Sequence, residues 1–172
     1  MKELRNIGLP LVLFVCLAAG QAAAWQGEVV RVLDGDSLLI RDKSRVHEIR
    51  LYGIDAPEYK QPFGRQAARI ARKQLLHKKV YVVGVDVDRY GREVALVYRG
   101  ETLVNRELVR RGAAWMYPRY CRKKDLCGAM KTVQKSARQK RLGLWAGDNP
   151  LSPWKWKYLN KKRSLSRKRR QH

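Results

Sequence analysis

Short apolar runs, each bounded by turn residues, dominate the chain from residue 27 onward. "GEVVRVL" (27–33), "SLLIR" (37–41) and "VHEIRLYGI" (46–54) are rich in Val, Ile and Leu and predict three strands. "DGD" (34–36) fits the first hairpin turn, because Asp-Gly favours the positive φ that such turns need. "RDKS" (41–44) fits the second. The period then changes. In "GRQAARIARKQLL" (64–76), Ala67, Ile70, Ala71 and Leu75 fall on one helical stripe with Arg and Gln opposite. Two further strands follow, "KVYVVGVDV" (79–87) and "EVALVYR" (93–99), joined through "DRYGR" (88–92). A second helix is predicted over 102–111, with Gly112 as its C′ residue. A third runs from Lys124 to Arg141, where Leu126, Met130, Val133 and Ala137 recur at helical spacing.

The order β-β-β-α-β-β-α-α predicts an α+β domain over residues 25–148: a five-stranded Greek-key β-barrel of the OB type with about three helices. Two segments stand outside it. Lys2 and Arg5 precede the apolar stretch 7–20, and "QAAA" (21–24) offers an A-x-A cleavage site before Trp25. Residues 1–24 are therefore expected to be a signal peptide, and the mature protein to be exported to the periplasm or secreted. The apolar run is short for a bilayer and Pro10 interrupts it, so an uncleaved anchor is the lesser alternative. At the other end, residues 149–172 carry nine Lys and Arg and no acid. They are expected to form a basic, disordered tail, either merely solvated or acting as a phosphate-binding arm.

Charge sharpens the picture. The 172-residue chain holds 38 Lys and Arg against 15 Asp and Glu, a net charge of +23. A field of that sign attracts phosphates, nucleic acid or anionic membranes, and charge alone does not choose between them. A membrane-surface role fits poorly, because the tail lacks the apolar face of an interfacial helix. Of three cysteines, Cys16 would leave with the signal. Cys121 and Cys127 remain, and in an exported protein an even count favours a disulfide over two free thiols.

The scarce acids are clustered. Asp36 follows Gly35 in the first turn, and Asp55 and Glu58 flank Pro57 in "YGIDAPEYKQ". Taken one at a time these are weak signals: Asp34-Gly35-Asp36 can be only a hairpin turn, and Asp55 and Glu58 cap residues near a chain turn. Arg50 can be an ordinary strand charge and Arg92 a post-turn one.

"VLDGDSLLI", "IRLYGIDAPE", "DRYGREVALVY", "LVNRELVRRGAAW" and "RLGLW" together resemble the staphylococcal nuclease family over about residues 27–145. The resemblance implies an OB-fold enzyme that hydrolyses DNA and RNA with Ca²⁺, leaving 3′-phosphate ends. It implies Asp36, Asp55 and the Ala56 carbonyl as metal ligands. Glu58 falls beside the attacking water, and Arg50 and Arg92 on the reacting phosphate. Arg89 and Tyr90 fall at a nucleotide phosphate, and Tyr117 and Tyr120 at stacked bases. Ser37 and Ala56 stand where the family's pattern often has Thr, and the loop "YKQPFG" is shorter than the founding member's. DNA or RNA is then the expected partner of a monomeric enzyme, with no stable membrane association once the signal is cleaved. The competing class is an OB module that binds nucleic acid without cleaving it.

Overall fold

The computed structural model describes residues 24–43 and 45–169. The expected signal peptide therefore lies outside the described residues, except for Ala24. The strands are β1 (Ala24–Val32), β2 (Ser37–Asp42), β3 (Arg45–Leu51), β4 (Ile54–Asp55), β5 (Lys79–Val87), β6 (Glu93–Arg99), β7 (Thr102–Leu103) and β8 (Trp115–Met116). The helices are α1 (Gly64–Leu75), α2 (Val104–Arg110), α3 (Lys124–Gln139) and α4 (Pro153–Arg169), with one turn of 3₁₀ helix at Gly143–Ala146.

Five strands close a barrel. β3, β2, β1, β5 and β6 pair in that order, antiparallel throughout, and β6 then returns to pair with β3 in parallel. The closing register sets Ile49 against Glu93, Arg50 against Val94 and Leu51 against Ala95. The α+β barrel of OB type read from the sequence is the fold observed, with four helices rather than about three.

Alternation along the strands fills the interior. Val29, Leu38, Ile40, Ile49, Val82 and Val97 are fully buried. Ala71 and Leu75 of α1, Leu108 and Val109 of α2, and Met130 of α3 complete the same core. Burying each large aliphatic chain contributes about 1.5–3 kcal/mol.

Two readings of local structure change. The run 46–54, read as one strand, breaks after Leu51. Gly53 adopts φ +71°, and a side chain there would press on Cys121 Sγ at 3.0 Å. The break turns Ile54 and Asp55 into a separate short strand that pairs with Trp115 and Met116.

The basic segment expected to be disordered is helical from Pro153 to Arg169. Proline suits the first helical position, where its fixed φ is already helical and no N–H is missed. The Ser152 carbonyl accepts from Trp156 N–H to close the first turn. The segment has no apolar stripe; its start docks through Trp154, whose ring meets Trp115 edge-on at 5.6 Å.

Candidate active site

The acids converge because two tight turns press together. Leu33 N–H bonds to Ser37 C=O, and Asp36 N–H is held by Asp34 Oδ1 at 2.9 Å. Asp36 then points inward, and its Oδ2 accepts from Ala56 N–H. Asp36 and Asp55 are each 1% exposed.

Two buried anions need cations. Arg50 of β3, directly across the ladder from Ser37, supplies the first. Its Nη1 pairs with Asp36 Oδ1, and its Nη2 lies 2.6 Å from Asp55 Oδ1 and 3.3 Å from the Ile54 carbonyl. One guanidinium fork thus spans both aspartates. Lys157 of α4 supplies the second cation. Its Nζ lies 3.4 Å from Asp55 Oδ1 and 2.9 Å from Glu58 Oε1. Burial opposes the Lys157 charge, but Asp55 and Glu58 outweigh it and hold the ammonium above the ordinary lysine range.

Glu58 sits on a clasped loop. Its N–H bonds to Gln61 Oε1 at 3.1 Å, and its carbonyl accepts from Gln61 N–H. Gln61 Nε2 reaches across to the Leu151 carbonyl at 2.6 Å. Gly64 must be glycine, since a Cβ there would stand 1.8 Å from the Glu58 oxygen.

The donor set fits a hard cation. Asp55 Oδ2 is buried without a hydrogen-bond partner. The Arg50 fork takes one oxygen of Asp36 and one of Asp55, which sets the two carboxylates side by side. Among the described residues no three acids, histidines or cysteines gather to form a cage of side chains alone. Two carboxylates would therefore leave further places to backbone, water or phosphate oxygens, as hard-cation coordination permits.

Arg92, Arg89 and Tyr90 form a separate group on the β5–β6 turn. Arg92 Nη2 lies 2.7 Å from Asp88 Oδ2, and Nη1 lies 3.6 Å from Glu48 Oε1. Burial again opposes the charge, and Asp88, then Glu48 and Asp34, raise the Arg92 pKa regardless. Its ion pairs among the described residues are with Asp88 and Glu48, not with the buried aspartates. Arg89 bonds to the Tyr90 hydroxyl at 2.6 Å, and Tyr90 is 68% exposed.

Tyr117 and Tyr120 lie on the loop after β8, rings 4.9 Å apart. Tyr117 N–H bonds to the Gly53 carbonyl, which ties this loop to the Asp55 turn. Burial first, then the Asp55 charge, push the Tyr117 phenol up, so it is neutral at physiological pH. Trp154 of α4 stacks flat on Tyr117, with centroids 4.7 Å apart and planes 1° from parallel. Just beyond, Cys121 and Cys127 form the expected disulfide.

Comparison with known proteins decides the relationship. A family model described as staphylococcal nuclease homologue matches residues 48–147. The chain belongs to the staphylococcal nuclease family. An uncharacterized endonuclease of Escherichia coli O157:H7 is 39% identical over 151 residues, covering 87% of this chain and 96% of that protein. A micrococcal nuclease of Shigella flexneri is 37% identical over 170 residues, covering 94% and 95%. A staphylococcal-like nuclease of Arabidopsis thaliana is 39% identical over 109 residues, 63% of this chain and 32% of that one.

Three side chains that shape this candidate site were not singled out from the sequence. Lys157 and Trp154 lay in a segment read as tail. Asn105 lay inside a quoted motif without a role. It is fully buried, accepts from Val97 N–H at 3.0 Å, and donates to the carbonyls of Tyr52 and Ala95 at 3.0 and 3.1 Å. It thereby fastens the barrel to the turn that leads into Asp55. A buried residue with three bonds of this kind has no signal in periodicity.

Proposed function

We propose that this chain is a Ca²⁺-dependent nuclease that hydrolyses phosphodiester bonds of DNA and RNA to leave 3′-phosphate ends. One observation carries the reading. In a chain of this family, two buried aspartates share one arginine fork while an Asp55 oxygen is left without a partner.

Asp36, Asp55 and the Ala56 carbonyl would hold the ion. Bound Ca²⁺ supplies positive charge that draws phosphate oxygens in and makes a coordinated water more acidic. Glu58 stands at the rim of the same acids, where it orients or deprotonates the attacking water. Arg50 presents a planar fork, and the geometry that spans two aspartates also suits two phosphate oxygens. Arg92, paired with Asp88 and Glu48 in this structure, would exchange those partners to meet the same phosphate. Such donors stabilise charge that grows on phosphorus in the transition state. Tyr117 and Tyr120 supply stacking faces, worth roughly 1–3 kcal/mol per base and indifferent to sequence. The basic surface gathers the strand, and the few acids supply the chemistry.

The reading extends to the compartment. A leader-like amino terminus and a disulfide both favour an oxidising location, periplasmic or extracellular.

The test is digestion of single-stranded DNA, duplex DNA and RNA by residues 25–172, with chelator and with Ca²⁺. Cleavage should vanish in chelator and return with Ca²⁺, and product ends should carry 3′-phosphate. Full cleavage in chelator removes the metal from the mechanism. Binding without cleavage in Ca²⁺ makes the chain a silent OB module.

A further inference from the structure

Helix α4 touches the cleft at two points, and each is a group the proposed function needs for something else. Lys157 Nζ sits on Asp55 and Glu58, at 3.4 and 2.9 Å. An ammonium ion thus neutralises carboxylates assigned to a metal ion and its water. Trp154 lies flat on Tyr117, at 4.7 Å and 1°. An indole thus covers an aromatic face assigned to a nucleobase.

Beyond these contacts Trp156 and Leu159 are half-buried, and the cationic side of α4 faces solvent. Lys155, Tyr158, Lys161, Lys162 and Arg163 are exposed. Residues 149–172 contain no acid, so the segment has nothing of its own to pair with these cations. A polyanion long enough to reach from the cleft to that row would find free positive charge there. The same contact would draw the helix off the acids and off Tyr117.

We propose that α4 is a built-in competitor of substrate and metal, with Lys157 standing in for the ion and Trp154 for a base, and that a long polyanion displaces it. The inference rests on the metal-dependent nuclease reading. The strap raises the metal requirement of the idle enzyme and disfavours short substrates, which occupy the cleft without engaging the outer lysines. A site open in only one molecule in ten binds its ligand about tenfold more weakly than the open form does.

The experiment is Ca²⁺ titration calorimetry on residues 25–172, with wild type, Lys157→Met and Lys161→Met compared. Both variants remove one positive charge from α4, but only the first uncovers the acids. Lys157→Met should bind Ca²⁺ about tenfold more tightly, and Lys161→Met should match wild type. Equal affinity in all three overturns the strap while leaving the metal reading intact. No Ca²⁺ binding by any of them overturns both. A second arm measures cleavage of a short oligothymidylate relative to a long single strand. Trp154→Ala should raise that ratio severalfold. A fall in the ratio would make Trp154 a platform for substrate, which overturns the competitor role.

Discussion

Gly35 and Ala56 meet so closely that a Cβ added at Gly35 would stand 2.5 Å from the Ala56 methyl and 3.3 Å from that of Ala67. Their contact brings the Asp36 turn against the Asp55 turn, and a methyl at residue 35 would drive the two apart. Gly35→Ala should cost about 1–3 kcal/mol of stability by overpacking. It should also lower nuclease activity more than that loss explains, because Asp36 is displaced from Asp55. Denaturant unfolding alongside cleavage assays at a temperature where the variant is fully folded separates the two effects.

Arg50 makes two ion pairs with one fork, which lysine cannot do. Arg50→Ala should lose at least ~10²-fold in kcat, the scale for removing a preorganised donor to transition-state charge. Arg50→Lys should recover little of it. Arg92→Ala should lose a comparable factor. Steady-state kinetics on single-stranded DNA in saturating Ca²⁺ measures all three, and unchanged turnover would remove the residue concerned from the mechanism.

Asn105→Ala should destabilise the fold by about 3 kcal/mol, since it removes buried partners of the Val97 N–H and the Tyr52 carbonyl, while the Ala95 carbonyl keeps the Tyr52 N–H. Asn105→Leu should be no better, because its size is kept and its bonds are not. Shifts in the urea midpoint at constant slope would report this.

Glu107 gives stability a pH dependence. Hydrogen bonds from Arg110, then from Arg111, draw its pKa from 4.5 down to about 2. A depressed carboxylate stabilises the fold fully above its unfolded pKa, and that contribution fades as pH falls from 4.5 towards 2. The pairs are partly solvated, so the contribution at neutral pH is about 1–2 kcal/mol. Glu107→Gln should therefore melt lower than wild type at pH 7, with the gap closing in acid.

Replacing Lys161, Lys162 and Arg163 by Ala should flatten the salt dependence of DNA binding. If each meets one phosphate, the log–log slope falls by roughly 2–3 units for duplex. An unchanged slope would mean these side chains do not touch the strand.

The barrel was legible because its strands are short, apolar and separated by strong turn residues such as Asp34-Gly35-Asp36. Asp36, Arg50 and Asp55 were legible because they lie within 20 residues of one another, on motifs read as a set. Arg92 was legible as a motif residue, but not its pairing with Asp88 and Glu48, which depends on how the β5–β6 turn curls. The clearest miss is α4. Its residues show no apolar stripe, so neither periodicity nor composition signals a helix there. Among the described residues it is held by Trp154, stacked on Tyr117 and edge-on to Trp115, and by the Lys157 ion pairs reaching back across the chain, and a linear pattern contains no trace of such contacts. The break at Gly53 was hidden for a similar reason, because Ile54 and Asp55 leave the strand to pair with Met116 and Trp115, far downstream.

The Gln61–Leu151 bond ties the Glu58 loop to a distant stretch of chain. The loop that bears Glu58 is latched by a carbonyl ninety residues beyond Gln61. Loss of the segment that carries Leu151 would therefore unclasp that loop while leaving every strand pairing of the barrel in place.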